Sequence, residues 1–199
     1  MKGRTRFHPR ERLASRRTHY NATWGVRYPG SWLEATDGFV RGVWMLGNNY
    51  QGSGYYGAYP PQYLARVGAL FSDAGKVLHL FSGSLPRNRA YVTFDIQGKP
   101  NVIGDAMQLH QHFRAGHFDV IYADPPYTKA DAERYGTPMP HRPVVLRRAA
   151  HVLRRGGFLV WLDTVWPMVA KKHLVLEGAI LILRSQNHRV RTCFIFRKP

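Results

Sequence analysis

Phe118-Asp119-Val120-Ile121-Tyr122-Ala123-Asp124-Pro125-Pro126-Tyr127-Thr128 is the stretch that decides how this chain reads. Phe118 to Ala123 is a short apolar run with a β-branched and aromatic bias, the pattern of a buried strand. Asp124-Pro125 stops it, because proline has no N–H for the next ladder rung. A carboxylate, two rigid carbonyls and an aromatic ring therefore sit together at the carboxyl end of a strand, the edge where open α/β sheets bind ligands. These groups suit the holding of a planar exocyclic amine between acceptors while a ring stacks on Tyr127. A chance Asp-Pro-Pro-aromatic in a chain of this length has a probability on the order of a few in a thousand.

Working outward, residues 76–81 alternate and predict a first core strand, which runs into Phe81-Ser82-Gly83-Ser84. Tyr91-Val92-Thr93-Phe94-Asp95 predicts a second strand, whose terminal Asp95 sits where Rossmann-like folds place a carboxylate against ribose hydroxyls. A third strand is expected at 101–104, followed by Asp105 as N-cap of a helix over 106–113. A parallel crossover needs a dozen or more residues, usually a helix. Residues 84–90 and 95–101 are too few, so the first two crossover helices are expected to be shortened or absent. Downstream, Val144, Val145, Ala149, Val152 and Leu153 form a helical stripe that Gly156-Gly157 is expected to end. Strands follow at 158–163, 178–183 and 190–196, the last two joined by a turn at 185–188.

Composition sets the partner class. The 199 residues hold 29 basic and 12 acidic side chains, a formal net charge of +17, and such a field favours a polyanion. Residues 1–30 carry Lys2, Arg4, Arg6, Arg10, Arg12, Arg16, Arg17 and Arg27 against Glu11 alone. With little periodicity, residues 1–43 are expected as a basic N-terminal arm lying on a phosphate backbone or on the domain, and 44–199 as the folded domain. Arg147 and Arg148, on the polar face of the predicted helix, extend the candidate phosphate-contacting set. From Trp44 to Tyr59, glycines interleave with tyrosines, as in a loop over a site. Tyr59-Pro60-Pro61 then opens a helix to about Phe71, with Pro61 in its first turn. Apolar runs at 157–162 and 178–183 are too short to span a bilayer, so no membrane partner is expected. The N-terminus lacks the pattern of a secretory signal. The single cysteine, Cys193, has no disulfide partner and fits a reducing compartment. His110, His112 and His117 lack the spacing of a zinc site, so no metal is expected.

Asp124-Pro125-Pro126-Tyr127 resembles the catalytic D/N/S-P-P-Y/F/W tetrapeptide of S-adenosylmethionine-dependent amino-methyltransferases, best known from DNA adenine-N6 and cytosine-N4 enzymes. Over 59–196 the chain is similar to the small adenine-specific DNA methyltransferase-like proteins of phages and mobile elements. The resemblance implies a trimmed Rossmann-like class I methyltransferase fold, mostly parallel, with a terminal antiparallel strand inserted next to strand five. It implies S-adenosylmethionine as cofactor, bordered by Tyr59 and Pro60, by the Phe81-Ser82-Gly83-Ser84 loop, by Asp95, and by Gly104, Asp105 and Ala106. The loop departs from the family's F-x-G-x-G, because Leu85 and Pro86 follow Ser84 where a second glycine belongs. It also implies Asp124, Pro125, Pro126 and Tyr127 as the groups that hold a flipped adenine in DNA. The 128–143 segment is read as a lid or a connector, there is no separate target-recognition domain, and the expected setting is the cytoplasm of a bacterial or phage-infected cell. Two alternatives stand beside this expectation: a methyltransferase acting on RNA or another base amine, and a non-catalytic basic nucleic-acid-binding protein with a degenerate cofactor site.

Overall fold

The computed structural model describes residues 7–47, 59–184 and 187–199. They build helices α1 (Leu13–Tyr20), α2 (Tyr63–Leu70), α3 (Leu109–His112), α4 (Lys129–Tyr135) and α5 (Arg142–Val152). The strands are β1 (Leu33–Thr36), β2 (Phe39–Leu46), β3 (Val77–Leu80), β4 (Val92–Asp95), β5 (Val102–Ile103), β6 (Phe118–Ala123), β7 (Leu153–Asp163), β8 (Val175–Arg184) and β9 (Asn187–Arg197). All nine lie in one sheet, in the order β1-β2-β8-β9-β7-β6-β3-β4-β5. Only β1, which pairs with β2, and β9, inserted between β7 and β8, form antiparallel pairs. The remaining pairings are parallel.

Strand alternation buries both sheet faces. Val120, Tyr122, Val160, Ile180 and Ile195 join Leu13 and Tyr20 of α1 and Tyr63 and Val67 of α2 in one core. Ile121, Ala123, Leu159 and Trp161 join Leu109 of α3 and Val145, Leu146 and Ala149 of α5 in the other. Leu80 pairs with both Ala123 and Phe94, so Phe81, Asp124 and Asp95 leave the sheet side by side at one edge.

Both connections between β3, β4 and β5 lack a helix, and side chains close them instead. Tyr91 Oη donates to the carbonyl of Pro86 (2.8 Å). Asn101 Oδ1 accepts from the backbone and hydroxyl of Thr93, both at 2.9 Å, and Asn101 N donates back to Thr93 Oγ1.

Three expectations are corrected. The described part of 1–43 is not an arm beside the domain: α1, β1 and most of β2 belong to the sheet and its core, and the boundary after residue 43 falls inside β2. Phe7, Leu13, Tyr20 and Leu33 are buried and anchor the segment, because a few well-placed apolar side chains suffice where the rest of the sheet supplies the partner surface. Helix α2 begins at Tyr63, two residues after Pro61, with Gln62 in the left-handed region. Gly156-Gly157 does not cap α5, which ends at Val152; both glycines lie inside β7, where the pairing skips from Leu153 to Phe158. Gly156 has φ +74°, and a Cβ there would run into the carbonyl oxygen of Pro9, so glycine is required by both conformation and contact. Of the glycine-tyrosine stretch, residues 48–58 lie outside the described residues, as do 185–186 of the expected turn, while Asn187 and His188 belong to β9.

Candidate active site

Asp124 follows β6 directly and is half-buried. Tyr127 Oη donates to its Oδ1 at 2.5 Å, so the first and fourth residues of the tetrapeptide are bonded to each other. Burial pushes the Asp124 carboxyl up to about 7. The Tyr127 hydrogen bond and the charge of Arg191 work against that rise, and Asp163 adds to it. The Arg191 guanidinium lies 5.2 Å from the centre of the Tyr127 ring, so one of the two ring faces expected to stack a base is already covered. Pro125 is buried and Pro126 half-buried, which fixes the carbonyls that follow Asp124.

A brace behind Tyr127 was not foreseen. Asp163, fully buried at the end of β7, accepts from Arg142 Nε (2.7 Å), Trp161 Nε1 (3.0 Å) and the backbone N–H of Thr164 (2.7 Å). Arg142 Nη2 reaches on to the carbonyl of Tyr127 at 2.8 Å. A charge-assisted pair thus holds the backbone of the tetrapeptide's last residue. The sequence held one signal for this: Asp163 ends an apolar strand just as Asp124 does. For Arg142 and Arg191 it held none.

Beside Asp124, the β3 loop turns sharply. Phe81 (φ +59°) and Gly83 (φ +53°) both adopt left-handed backbone, and Leu85 N donates to the carbonyl of Ser82 (3.0 Å), so the turn closes without a second glycine. Asp95 Oδ2 accepts from Gly83 N at 2.8 Å and holds the loop to β4. Ser84 is exposed. Tyr59 stacks on Tyr63 (5.8 Å), and its desolvated hydroxyl senses both Asp124 and Asp95. His79 is packed against Tyr59, Tyr91 and Tyr122, and burial lowers its pKa to about 4, so it is neutral at physiological pH. Tyr59 Oη, His79 Nδ1 and Ser82 Oγ are buried without a hydrogen-bond partner. Such orphaned groups around a glycine turn and a carboxylate fit a ligand that brings its own polar atoms, as the S-adenosylmethionine implied by the sequence would.

The remaining expected site residues divide. Pro60 is buried, at the entry to α2. Asp105 caps the helical turn after β5, its Oδ1 accepting from Met107 N (2.8 Å), and it stays half-exposed. Gly104 packs against Phe94 and His112, with no room for a Cβ, and Ala106 is buried in the second core. Arg10 and Arg147 are exposed, and Arg148 is half-buried with its Nε on the carbonyl of Met107. Arg12 is exposed but paired with Glu177, and Arg17 donates to the carbonyls of Ala14 and Leu33. Arg16 is not a phosphate contact: it is buried, bonded to Asp73 at 2.5 and 3.2 Å, and lies over the rings of Phe7, Phe71 and Phe158. Arg4 and Arg6 lie outside the described residues.

Among solved structures, the chain is similar to TrmN from Thermus thermophilus, with a TM-score of 0.52 and 17% identity over 71% of this chain and 49% of that one. It is also similar to the trans-methyltransferase CalH in complex with SAH, at a TM-score of 0.37 and 16% identity over 62% of this chain and 51% of that one. The sheet order and the likeness to TrmN show a Rossmann-like α/β fold, mostly parallel, with an inserted antiparallel strand. The chain spans about half the length of the solved structures it matches. No family model and no curated protein sequence matches it. Among the described residues, no helix is long and apolar enough to cross a membrane.

Proposed function

We propose that this chain methylates the exocyclic amine of adenine in DNA, with S-adenosylmethionine as donor. The observation that carries the reading is the half-buried Asp124 carboxylate of the Asp-Pro-Pro-Tyr motif, set at the strand edge one strand from the Phe81 turn and two strands from Asp95. When bound, the cofactor supplies an electrophilic sulfonium methyl. Asp95 and the Phe81 to Ser84 turn would hold its nucleoside part, with Tyr59, Pro60, Gly104, Asp105 and Ala106 around it.

Adenine's amine is a poor nucleophile because its lone pair is delocalised into the ring. Tyr127 occupies Asp124 Oδ1, which leaves Oδ2 and the Pro125 carbonyl to accept the two N–H groups of the amine. That arrangement favours a pyramidal nitrogen and orients it, so the gain is positional and electrostatic. Loss of the N–H proton balances transfer of the methyl, and a carboxyl with a pKa of about 7 is matched to receive it. Arg142 and Asp163 keep Tyr127 in place, and the uncovered ring face remains for stacking.

The same atoms serve a base amine in RNA, where a base that is already unpaired needs no flipping. A binding-only role is the remaining rival. Calorimetry with S-adenosylmethionine separates it, since an enzyme must bind the cofactor. Labelled-methyl transfer to a panel of DNA and RNA, followed by mass spectrometry of the bases, identifies the product. Methylated adenine in DNA is expected; a methylated base found only in RNA moves the substrate, and absence of cofactor binding sinks the enzyme.

A further inference from the structure

Arg184 closes β8, and Arg191 lies on β9 opposite Ile182, at the edge where β6 and β7 end in Asp124 and Asp163. The Nε of each is buried and has no hydrogen-bond partner. Neither arginine forms an ion pair among the described residues, whereas Arg12, Arg16, Arg41, Arg142 and Arg154 each have an acidic partner. The acids nearby are committed: Asp163 to Arg142, Trp161 and Thr164, and Asp124 Oδ1 to Tyr127. The two cations are also close to each other: Arg184 stands two residues along β8 from Ile182, the cross-strand partner of Arg191, and the charge of Arg191 adds to burial in lowering the Arg184 pKa. Two adjacent, partly desolvated guanidinium groups with unused Nε donors repel one another; the Asp124 carboxyl acts on Arg191 through its charge alone, and among the described residues neither arginine has an ion-pair partner. A ligand anion with several acceptor oxygens would supply one.

We infer that Arg184 and Arg191 form a clasp for one phosphodiester of the strand that carries the target base. This rests on the reading of the chain as a nucleic-acid methyltransferase. Arg191 covers a face of Tyr127, so the clasp stands one side chain away from the amine-holding carboxylate. It belongs to the substrate half of the edge. In the sheet order, β9 is separated from β3 by β7 and β6, so at ~4.8 Å per strand the clasp lies roughly 14 Å from the Phe81 turn. That separation favours a backbone phosphate of the substrate over the carboxylate of the cofactor. A planar guanidinium fork matches phosphate oxygens, and a pair of forks fixes the strand without reading its sequence.

The test measures anisotropy of a fluorescein-labelled single-stranded oligonucleotide of mixed sequence against salt, for the unmodified chain, R184Q/R191Q and R184K/R191K. Calorimetry with S-adenosylhomocysteine and thermal melting accompany it. The glutamine pair is expected to weaken oligonucleotide binding roughly tenfold and to lower the slope of log K against log salt by about 0.7 for the lost phosphate. Affinity for S-adenosylhomocysteine should be unchanged and the melting temperature not lowered, because a repulsion has been removed. The lysine pair should keep the slope and lose part of the affinity. Unchanged oligonucleotide affinity and slope in the glutamine pair overturn the clasp and leave the methyltransferase reading intact. Loss of S-adenosylhomocysteine affinity assigns the arginines to the cofactor, and a lowered melting temperature assigns them to the fold; either result overturns the clasp. If the unmodified chain binds no oligonucleotide, the underlying reading fails and the clasp fails with it.

Discussion

The hydroxyl of Tyr127 lies 2.5 Å from Asp124 Oδ1, so the aromatic residue of the tetrapeptide controls the proton affinity of its carboxylate. The bond favours the ionised form and offsets part of the effect of burial. Tyr127→Phe keeps the ring and removes the bond. Single-turnover transfer by the unmodified chain is expected to rise with pH through about 7 as Asp124 ionises, and the substitution should move that rise to higher pH. Rates that fall equally at every pH would assign the hydroxyl some other task.

Asp124 also ties stability to pH. Its folded pKa, about 7, exceeds the ordinary 3.8, so the folded state holds the proton more tightly across that window. Stability from this group is therefore complete below about pH 4 and is lost as pH rises through 7. Asp124→Asn removes the ionisation. Its melting temperature should exceed that of the unmodified chain at pH 8 and approach it near pH 4; an unchanged difference across the range would refute the assignment.

Asp95 holds the loop, and under the proposed function it also holds a ribose. Asp95→Ala frees Gly83 N and would remove that acceptor, and should weaken binding of S-adenosylhomocysteine by about 1–3 kcal/mol. Asp124→Asn should leave that affinity nearly unchanged. Calorimetry on both variants separates the cofactor side of the site from the target side, and the reverse pattern would exchange their roles.

Arg16→Met should cost about 3 kcal/mol of stability, because Asp73 loses its partner in a partly buried site. Burial alone would raise the Asp73 carboxyl; the hydrogen bond and charge of Arg16 hold it below its ordinary value. This contribution is present above the unfolded pKa and disappears as pH falls through the folded one, so the cost should shrink in acid. Urea melts at two pH values measure it. Oligonucleotide affinity of the folded variant should not change.

Gly156→Ala forces a left-handed φ on alanine and drives its Cβ into the carbonyl of Pro9. A loss of about 2 kcal/mol or more is expected in chemical denaturation. A neutral result would mean that the 7–12 segment can leave the bulge without consequence.

Much of this architecture was legible in the chain. Phe118 to Ala123 is buried at every position because both faces of β6 are covered, with Asp119 paired to Arg154 as its one charged residue, and the prolines after Asp124 mark where it stops. The short intervals before Asp95 and Asn101 announced the missing crossover helices. Arg16 was misread because, in one dimension, an arginine that stacks on three rings and pairs with a distant Asp73 looks like any other member of a basic run. The same limit hid the bracing of Tyr127 by Arg142 and Asp163, and the place of Arg191 over the ring: each depends on strands that are neighbours in the sheet and far apart in sequence. Gly156-Gly157 looks like a helix stop, and only the pairing of β6 with β7 shows that it makes a bulge.

The parallel pairing of β2 with β8 sets an order of assembly. Val40 lies against Gly178 and Leu46 against Arg184, so β2 has no neighbour on that side until the β8–β9 hairpin has been made. Contacts so distant in sequence form late, since closing the intervening loop carries an entropic cost before the contacts offset it. Leu13, Tyr20 and Trp44, all fully buried in the finished sheet, must therefore wait exposed during synthesis. The high positive charge of the chain keeps such intermediates apart by mutual repulsion while they wait.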